Sequence, residues 1–443
     1  MNKSIDSNVL NLFEEKRDKT KTRTLISNAL RANGIDSVSM NKSAFDEMNF
    51  TFSHELPFTK ITNQEKSGRC WLFAALNTIR QKFIKEHNLV NFEFSQSWLM
   101  FWDKLEKCNY FLETMLELSD RNLDDRVVHT LLSDPIPDGG QWDMYVALIE
   151  KYGIVPKSVF PESFNSSNTK TLNSALAVKL RQSVALLRRL KNNNFDEEEI
   201  YKKKQKCMND IYNMLVYTIG EPINEFDLEF TDKDLKYHIY KSLTPLSFYK
   251  EFLKCDLNNY VSLINAPSDD KEFNKTYTIE YLGNVYDGKK IKYLNLEIEK
   301  LVNYAKTQIL NEEPVWFGCD MGKSLDRQKG IMHNELFDLN ESLATCLDFD
   351  KGKSLMYCQS KMTHAMVFIG VHIKDEEVKK WKVENSWGGE VGKEGVFVMN
   401  NEWFKEYVFQ VVINKKFLSD DDLKNYKKEA ISLPIWDPMG SLA

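Results

Sequence analysis

The sequence predicts an α+β chain whose helical first half carries one reactive cysteine and whose β-rich last third carries that cysteine's partners. Three observations predict it. From Cys70 the chain reads Cys-Trp-Leu-Phe-Ala-Ala-Leu-Asn-Thr-Ile-Arg, with apolar residues at 72, 73, 76 and 79 at helical spacing. Leu172, Leu176, Leu180, Val184, Leu187 and Leu190 also fall three and four apart, as on one face of a helix. After Val315 the apolar runs become short and are separated by Gly, Asp and Asn, which marks strands.

In chain order, residues 1–60 form a polar extension with a helical stretch over 7–33 and an extended arm after it. Residues 61–168 form a helical unit. Cys70 sits at the first turn of its buried helix. A second helix follows Ser95, with Trp98, Phe101, Trp102 and Leu105 on one side, and a third runs from near Gln141 to Gly153, a glycine suited to a helix C-cap.

Residues 169–310 change character and predict an inserted, mostly helical module. Its leucine-rich helix is followed by another over 200–218, closed by Gly220. A hairpin between Tyr277 and Leu296, turning at Asp287-Gly288, and a helix over 301–310 complete it. Residues 311–420 form the β-rich unit, with strands expected at 315–317, 365–372, 381–384, 396–399 and 409–414. Residues 421–443 end in an apolar tail whose two prolines bar a helix or a central strand. An apolar terminus predicts docking.

Composition narrows the function. The length of 443 residues exceeds one compact core. A net charge of −6 from 65 acids and 59 bases offers no basic surface for nucleic acid, so no nucleic-acid partner is expected. No run reaches the roughly 18 apolar residues that span a bilayer. The N-terminus has no apolar segment behind Lys3, so no membrane association is expected and the cytoplasm is the expected location. The seven cysteines are odd in number and scattered, which suits reduced thiols. There is no Cys-x-x-Cys and no close His pair, so neither metal nor cofactor is expected.

Three distant segments carry the chemistry: Asn63-Gln64-Glu65-Lys66-Ser67-Gly68-Arg69-Cys70-Trp71, Met362-Thr363-His364-Ala365-Met366 and Val383-Glu384-Asn385-Ser386-Trp387-Gly388-Gly389. A free thiol with a pKa of about 8.5 is mostly protonated at neutral pH. A helix N-terminus and a neighbouring imidazolium both lower that value. Cys70 has the first by position, and His364 would be the second, later protonating the leaving amine. Asn385 would orient the imidazole, and Gln64 could aim its amide at the oxyanion beside the Cys70 N–H. Trp387 would shield the Asn–His contact, and Trp71 would support the nucleophile from behind. A core cysteine, a core histidine, an ordinary loop glutamine at 64 and a plain turn at Gly139-Gly140 are the alternative readings, and only the combination disfavours the first two.

The Gln-x5-Cys-Trp, Thr-His-Ala and Asn-Ser-Trp-Gly elements resemble the papain-type cysteine peptidases. More narrowly, 67–71, Phe94-Ser95-Gln96-Ser97, Asp138-Gly139-Gly140-Gln141-Trp142, 315–320 and Trp436-Asp437-Pro438-Met439-Gly440 resemble the bleomycin hydrolase and bacterial aminopeptidase C family. Ser67 and Arg69 depart from the Cys-Gly-[Ser/Ala]-Cys of the secreted enzymes, and the lost half-cystine agrees with a reducing compartment. His364 follows Cys70 at roughly double the papain spacing, and the insertion accounts for the excess.

The resemblance implies a papain-like fold with a helical half and a β-barrel-like half. It implies a thiol aminopeptidase of broad specificity that acts on peptides through a thioester, and a homohexamer. It also implies that Gly139 and Gly140 lie along the substrate groove, and that the tail enters the cleft so that the carboxylate of Ala443 meets the substrate's ammonium group. An open-cleft endopeptidase and a non-catalytic oligomeric binding protein are the competing readings.

Overall fold

The computed structural model describes residues 3–442, so Ala443 lies outside the described residues. The longer helices are α1 (Ser7–Lys16), α2 (Lys21–Asn33), α3 (Cys70–Glu86), α4 (Gln96–Glu117), α5 (Arg126–Ser133), α6 (Trp142–Tyr152), α7 (Lys170–Asn192), α8 (Glu197–Thr218), α9 (Ile298–Leu310) and α10 (Asp420–Lys427). The strands of three or more residues are β1 (Phe226–Thr231), β2 (Tyr237–Leu243), β3 (Tyr260–Ile264), β4 (Thr276–Ile279), β5 (Tyr293–Asn295), β6 (Val315–Cys319), β7 (His364–Lys374), β8 (Glu377–Glu384), β9 (Val396–Asn400), β10 (Val408–Asn414) and β11 (Ile431–Leu433).

Local chemistry sets the helix ends near the site. Ser95 caps α4 by accepting from the Trp98 N–H at 3.0 Å. Gly153 ends α6 at φ 64°, and its N–H bonds the Ile149 carbonyl. A Cβ at Gly153 would stand 2.1 Å from the Pro245 carbonyl oxygen, so glycine is required twice over. The leucine stripe of α7 is buried, and α7 and α8 pack on α4 as a further helical layer.

One sheet organises the rest. Its order is β11-β4-β5-β3-β10-β6-β7-β8-β9, continued by the short segments Ile331–Met332 and Leu325–Asp326, with His54–Glu55 paired to β7. β7 lies at its centre, antiparallel to β6 with His364 opposite Cys319, and antiparallel to β8 with Val367 opposite Glu384. α3 packs across β7. The Trp316 indole of β6 donates to the Trp71 carbonyl at 3.2 Å, and Arg80 of α3 pairs with Glu384 of β8 at 2.7 Å, both wholly buried.

The expectation of one inserted module over 169–310 is corrected by this sheet. α7, α8 and the β1–β2 hairpin stand outside it, but β3, β4 and β5 are inside it, beside β10. Their side chains are buried along nearly their whole length, as interior strands require. β4 and β5 do pair antiparallel, with Tyr277 opposite Tyr293, but through a long connection rather than a tight turn at Asp287-Gly288. The prolines of the tail leave only the edge strand β11, parallel to β4. No helix of the described residues is long and apolar enough to cross a membrane.

Gly140 is set by close approach, because a Cβ there would stand 2.5 Å from the Trp71 ring. That indole is wholly buried and cannot retreat into solvent. Gly140→Ala is expected to cost about 1–3 kcal/mol. It should lower the thermal midpoint in calorimetry, and an unchanged midpoint would show that the indole yields.

Candidate active site

α3 starts inside the molecule. Arg69 occupies its N-cap position and makes no side-chain cap, because a guanidinium only donates; it bonds Ser67 Oγ at 2.9 Å and Glu162 at 3.0 Å. The loop before it is fixed from both sides. The Gly68 N–H donates to Asp138 Oδ2 at 3.0 Å, the Gln64 N–H to the Ser386 carbonyl at 2.9 Å, and the Ser67 hydroxyl to the Gln64 carbonyl at 2.6 Å. The Cys70 sulfur therefore meets backbone N–H groups of its own helix start, Cys70 and Trp71, together with the N–H of Ala365.

Ala365 follows His364 at the start of β7, so the strand that supplies the imidazole also touches the sulfur. His364 Nε2 lies 2.9 Å from Asn385 Oδ1. The same oxygen accepts the Ser386 N–H at 2.7 Å, which fixes the amide orientation and makes Nε2 the protonated nitrogen. Nδ1 is then the unprotonated nitrogen of the neutral ring. The imidazole packs 4.9 Å from the Trp387 ring, and the Arg327 guanidinium stands 4.2 Å from the centroid of that indole.

Gln64 is buried and doubly held: its Nε2 donates to the Ser67 carbonyl at 2.6 Å and its Oε1 accepts from Ser386 Oγ at 2.6 Å. It is not a free loop residue. Trp71 is clamped by its Nε1–H on the Asp138 carbonyl at 2.9 Å. Gly140 is buried and packs on Trp71, whereas Gly139 lines a concave space together with Leu442 of the tail. Among the described residues no His, Cys, Asp and Glu cluster is placed to hold a metal ion.

Sequence reading missed the cluster beneath this wall. Asp138 pairs with Lys104 at 2.7 Å and also accepts from Thr169 and Asn173. Burial works to raise its carboxyl, but Lys104, Thr169 and Asn173 together hold it well below the usual range. Lys107 reaches the Gly139 carbonyl at 2.7 Å and pairs with Asp103 at 2.8 Å. Buried lysines on a helix leave no periodic signal, and only Asp138 stood in a recognised motif.

The tail crosses the same wall. The Gln141 side chain donates to the Ser441 carbonyl at 2.9 Å, and the Ser441 hydroxyl donates to the Met362 carbonyl. Buried Asp437 pairs with buried Lys271 at 2.7 Å, and Trp436 lies under Arg126 at 3.8 Å.

Burial pushes the Cys70 thiol up to about 11 against the pull of the three N–H groups. Burial takes His364 down to about 4, opposed by Asn385 and reinforced by Arg327. Burial thus works against the charged form of each group, while the N–H groups at the helix start favour the thiolate.

The sign of the pH effect follows. Between 6.5 and about 4 the unfolded imidazole is protonated and the folded one is not, so stability falls as pH drops through that window. The slope from this group is at most about 1.4 kcal/mol per pH unit. His364→Asn should flatten the loss in chemical denaturation, and an unchanged slope would mean the imidazole is already charged beside a thiolate.

Residues 4–440 match the model of the Peptidase C1-like family. The chain is 43% identical over 431 residues to aminopeptidase C of Listeria monocytogenes, covering 97% of each chain. It is 43% identical over 433 residues to aminopeptidase C of Lactococcus lactis subsp. lactis, covering 98% of each. The crystal structure of PepW from Lactobacillus rhamnosis HN001 superposes with a TM-score of 0.98 at 43% identity, covering 100% of both chains. A helical half that presents a cysteine to a β-rich half bearing His and Asn, together with full-length likeness to the bacterial aminopeptidases C, makes this chain a papain-like, cysteine-type aminopeptidase that belongs to the Peptidase C1-like family.

Proposed function

We propose that Cys70 is the nucleophile, His364 the acid and base, Asn385 the group that orients it, and Gln64 with the Cys70 N–H the oxyanion donors. The thiol proton passes to His364 Nδ1 as the sulfur attacks the carbonyl carbon of the substrate's first residue. The oxyanion that forms meets the Cys70 N–H and the Gln64 amide hydrogen not given to Ser67. His364 then returns the proton to the leaving amine, and the C–N bond breaks to leave a thioester. A water deprotonated by His364 hydrolyses that thioester and frees the amino acid.

The bridge made by Ser441 between Gln141 and Met362 is the observation that supports the exopeptidase mode. It closes the groove on the side next to His364, where an open-cleft endopeptidase needs room for further residues. The carboxylate of Ala443, two residues on, would meet the substrate's ammonium group. Every N-terminus carries that group, so specificity is broad. Gly139, beside the tail, lines the groove, and Trp387 covers the His–Asn pair.

The described cysteines are all free, and Cys346 and Cys358 are exposed, which suits the cytoplasm. α1 and α2 bury no residue while exposing Leu10, Phe13 and Leu25, which suits packing against further copies in a hexamer. Sedimentation should then show a species larger than a monomer. The net charge of −6 argues against tight nucleic-acid binding at physiological salt.

The decisive assay uses a fluorogenic aminoacyl amide and its N-blocked analogue, with and without a thiol-alkylating epoxide. Only the free-amine substrate should be cleaved, and alkylation should abolish it. Cys70→Ala should lower kcat by about 10⁴ or more, and Gln64→Ala by about 10²–10³. Removing residues 441–443 should admit the N-blocked substrate. If truncation leaves the preference for free amines intact, the tail does not set the mode.

A further inference from the structure

With the tail on the Gln141–Met362 side, the departing part of a peptide extends along the opposite wall. That wall is built from 62–65, 326–330 and 386–392. Asn63 bridges Trp387, the Gly388 N–H donates to the Thr62 carbonyl at 3.0 Å, and the Gly392 N–H donates to the Gln328 carbonyl at 3.0 Å. Asp326 closes the turn by accepting the Lys329 N–H at 2.9 Å. The loop carrying Arg327 is therefore fixed.

Arg327 is exposed, stacked on the indole that packs against His364, and forms no ion pair among the described residues. Of the other charges of this wall, Asp326 closes its turn, Glu65 accepts from the Asn63 amide at 2.7 Å, Lys329 lies over Phe45, Lys393 lies over Phe50, and Glu390 is exposed. The Arg327 guanidinium makes no hydrogen bond among the described residues, and a free guanidinium fork matches a carboxylate.

We propose that Arg327 is a specificity residue on the leaving-group side, pairing with a carboxylate carried by the departing part of the peptide. That carboxylate is the C-terminus of a di- or tripeptide, or an acidic side chain next to the scissile bond. The inference rests on the aminopeptidase reading with Cys70 as nucleophile and the tail at the substrate's N-terminus.

The test compares kcat/KM for leucyl-glycine with leucyl-glycinamide, leucyl-glycyl-glycine with its amide, and leucyl-glutamyl-glycinamide with leucyl-glutaminyl-glycinamide. A leucyl coumarin amide serves as the uncharged reference. The wild type should favour at least one carboxylate-bearing member by about fivefold, mainly through KM, and the pair that shows it identifies the source of the carboxylate. In Arg327→Gln that ratio should fall to about one, and Arg327→Lys should recover part of it.

An effect of Arg327 on the His364 proton would change all substrates by one common factor and leave the ratios intact. Unchanged ratios in Arg327→Gln, or ratios of one in the wild type, overturn the proposal. Failure of the wild type to cleave the coumarin amide would instead sink the aminopeptidase reading, and the proposal with it.

Discussion

The structure depends on a helix that begins in the interior without a side-chain cap. The first N–H groups of any helix lack intrahelical partners, and burying them unpaired is costly. An ordinary fold would place Ser, Thr, Asp or Asn at the cap. Here Arg69 holds that position, and its side chain is drawn away to Ser67 and Glu162. The uncapped donors of Cys70 and Trp71 are left to the Cys70 sulfur and to whatever negative charge develops beside it. The same burial that makes these donors strong raises the thiol and lowers the imidazole. Burial and the backbone N–H groups thus pull the Cys70 thiol in opposite directions.

Such a helix start must be held at both ends of its approach, and charge does the holding. Asp138 ties the loop before Cys70 to α4 through Lys104 and to α7 through Asn173. Ten residues into α3, Arg80 reaches Glu384, the neighbour of Asn385. A buried pair stabilises little in net terms because desolvation offsets attraction, yet losing one partner is expensive. What these pairs supply is placement. One sets the nucleophile loop against the Gly139–Gly140 wall, and the other sets the helix against the strand that orients the imidazole.

Much of this was legible in the residues. The period of 72, 73, 76 and 79 marked α3, Ser95 and Gly153 marked helix ends, and the short apolar runs marked β6 to β10. His364 and Asn385 meet at 2.9 Å because each sits at the end of a strand, and the sequence shows both strands clearly. The strand β3 was hidden because five buried residues carry no period that separates them from the helices around them, and the place of the 277–296 strands in the central sheet was hidden because it depends on pairing with β3 and β11. The role of Gly140 was hidden because close packing on an indole depends on a contact across the fold. Lys104, Lys107 and Arg327 were hidden for a shared reason: a charged side chain in sequence looks solvated whether it is buried, paired or stacked.

The tail is a covalently tethered segment anchored along the Gln141–Met362 wall. A free peptide that entered the Gln141–Met362 side would lose translational and rotational freedom on binding. The tail has lost that freedom already, through β11 on the sheet edge, Asp437 on Lys271 and Trp436 under Arg126. A competing peptide would have to break several of these contacts at once, and buried Asp437 would lose Lys271 while Lys271 kept only Asp270. The tail is therefore held across this wall by contacts on three separate parts of the fold: the sheet edge, a buried ion pair and an indole under a guanidinium.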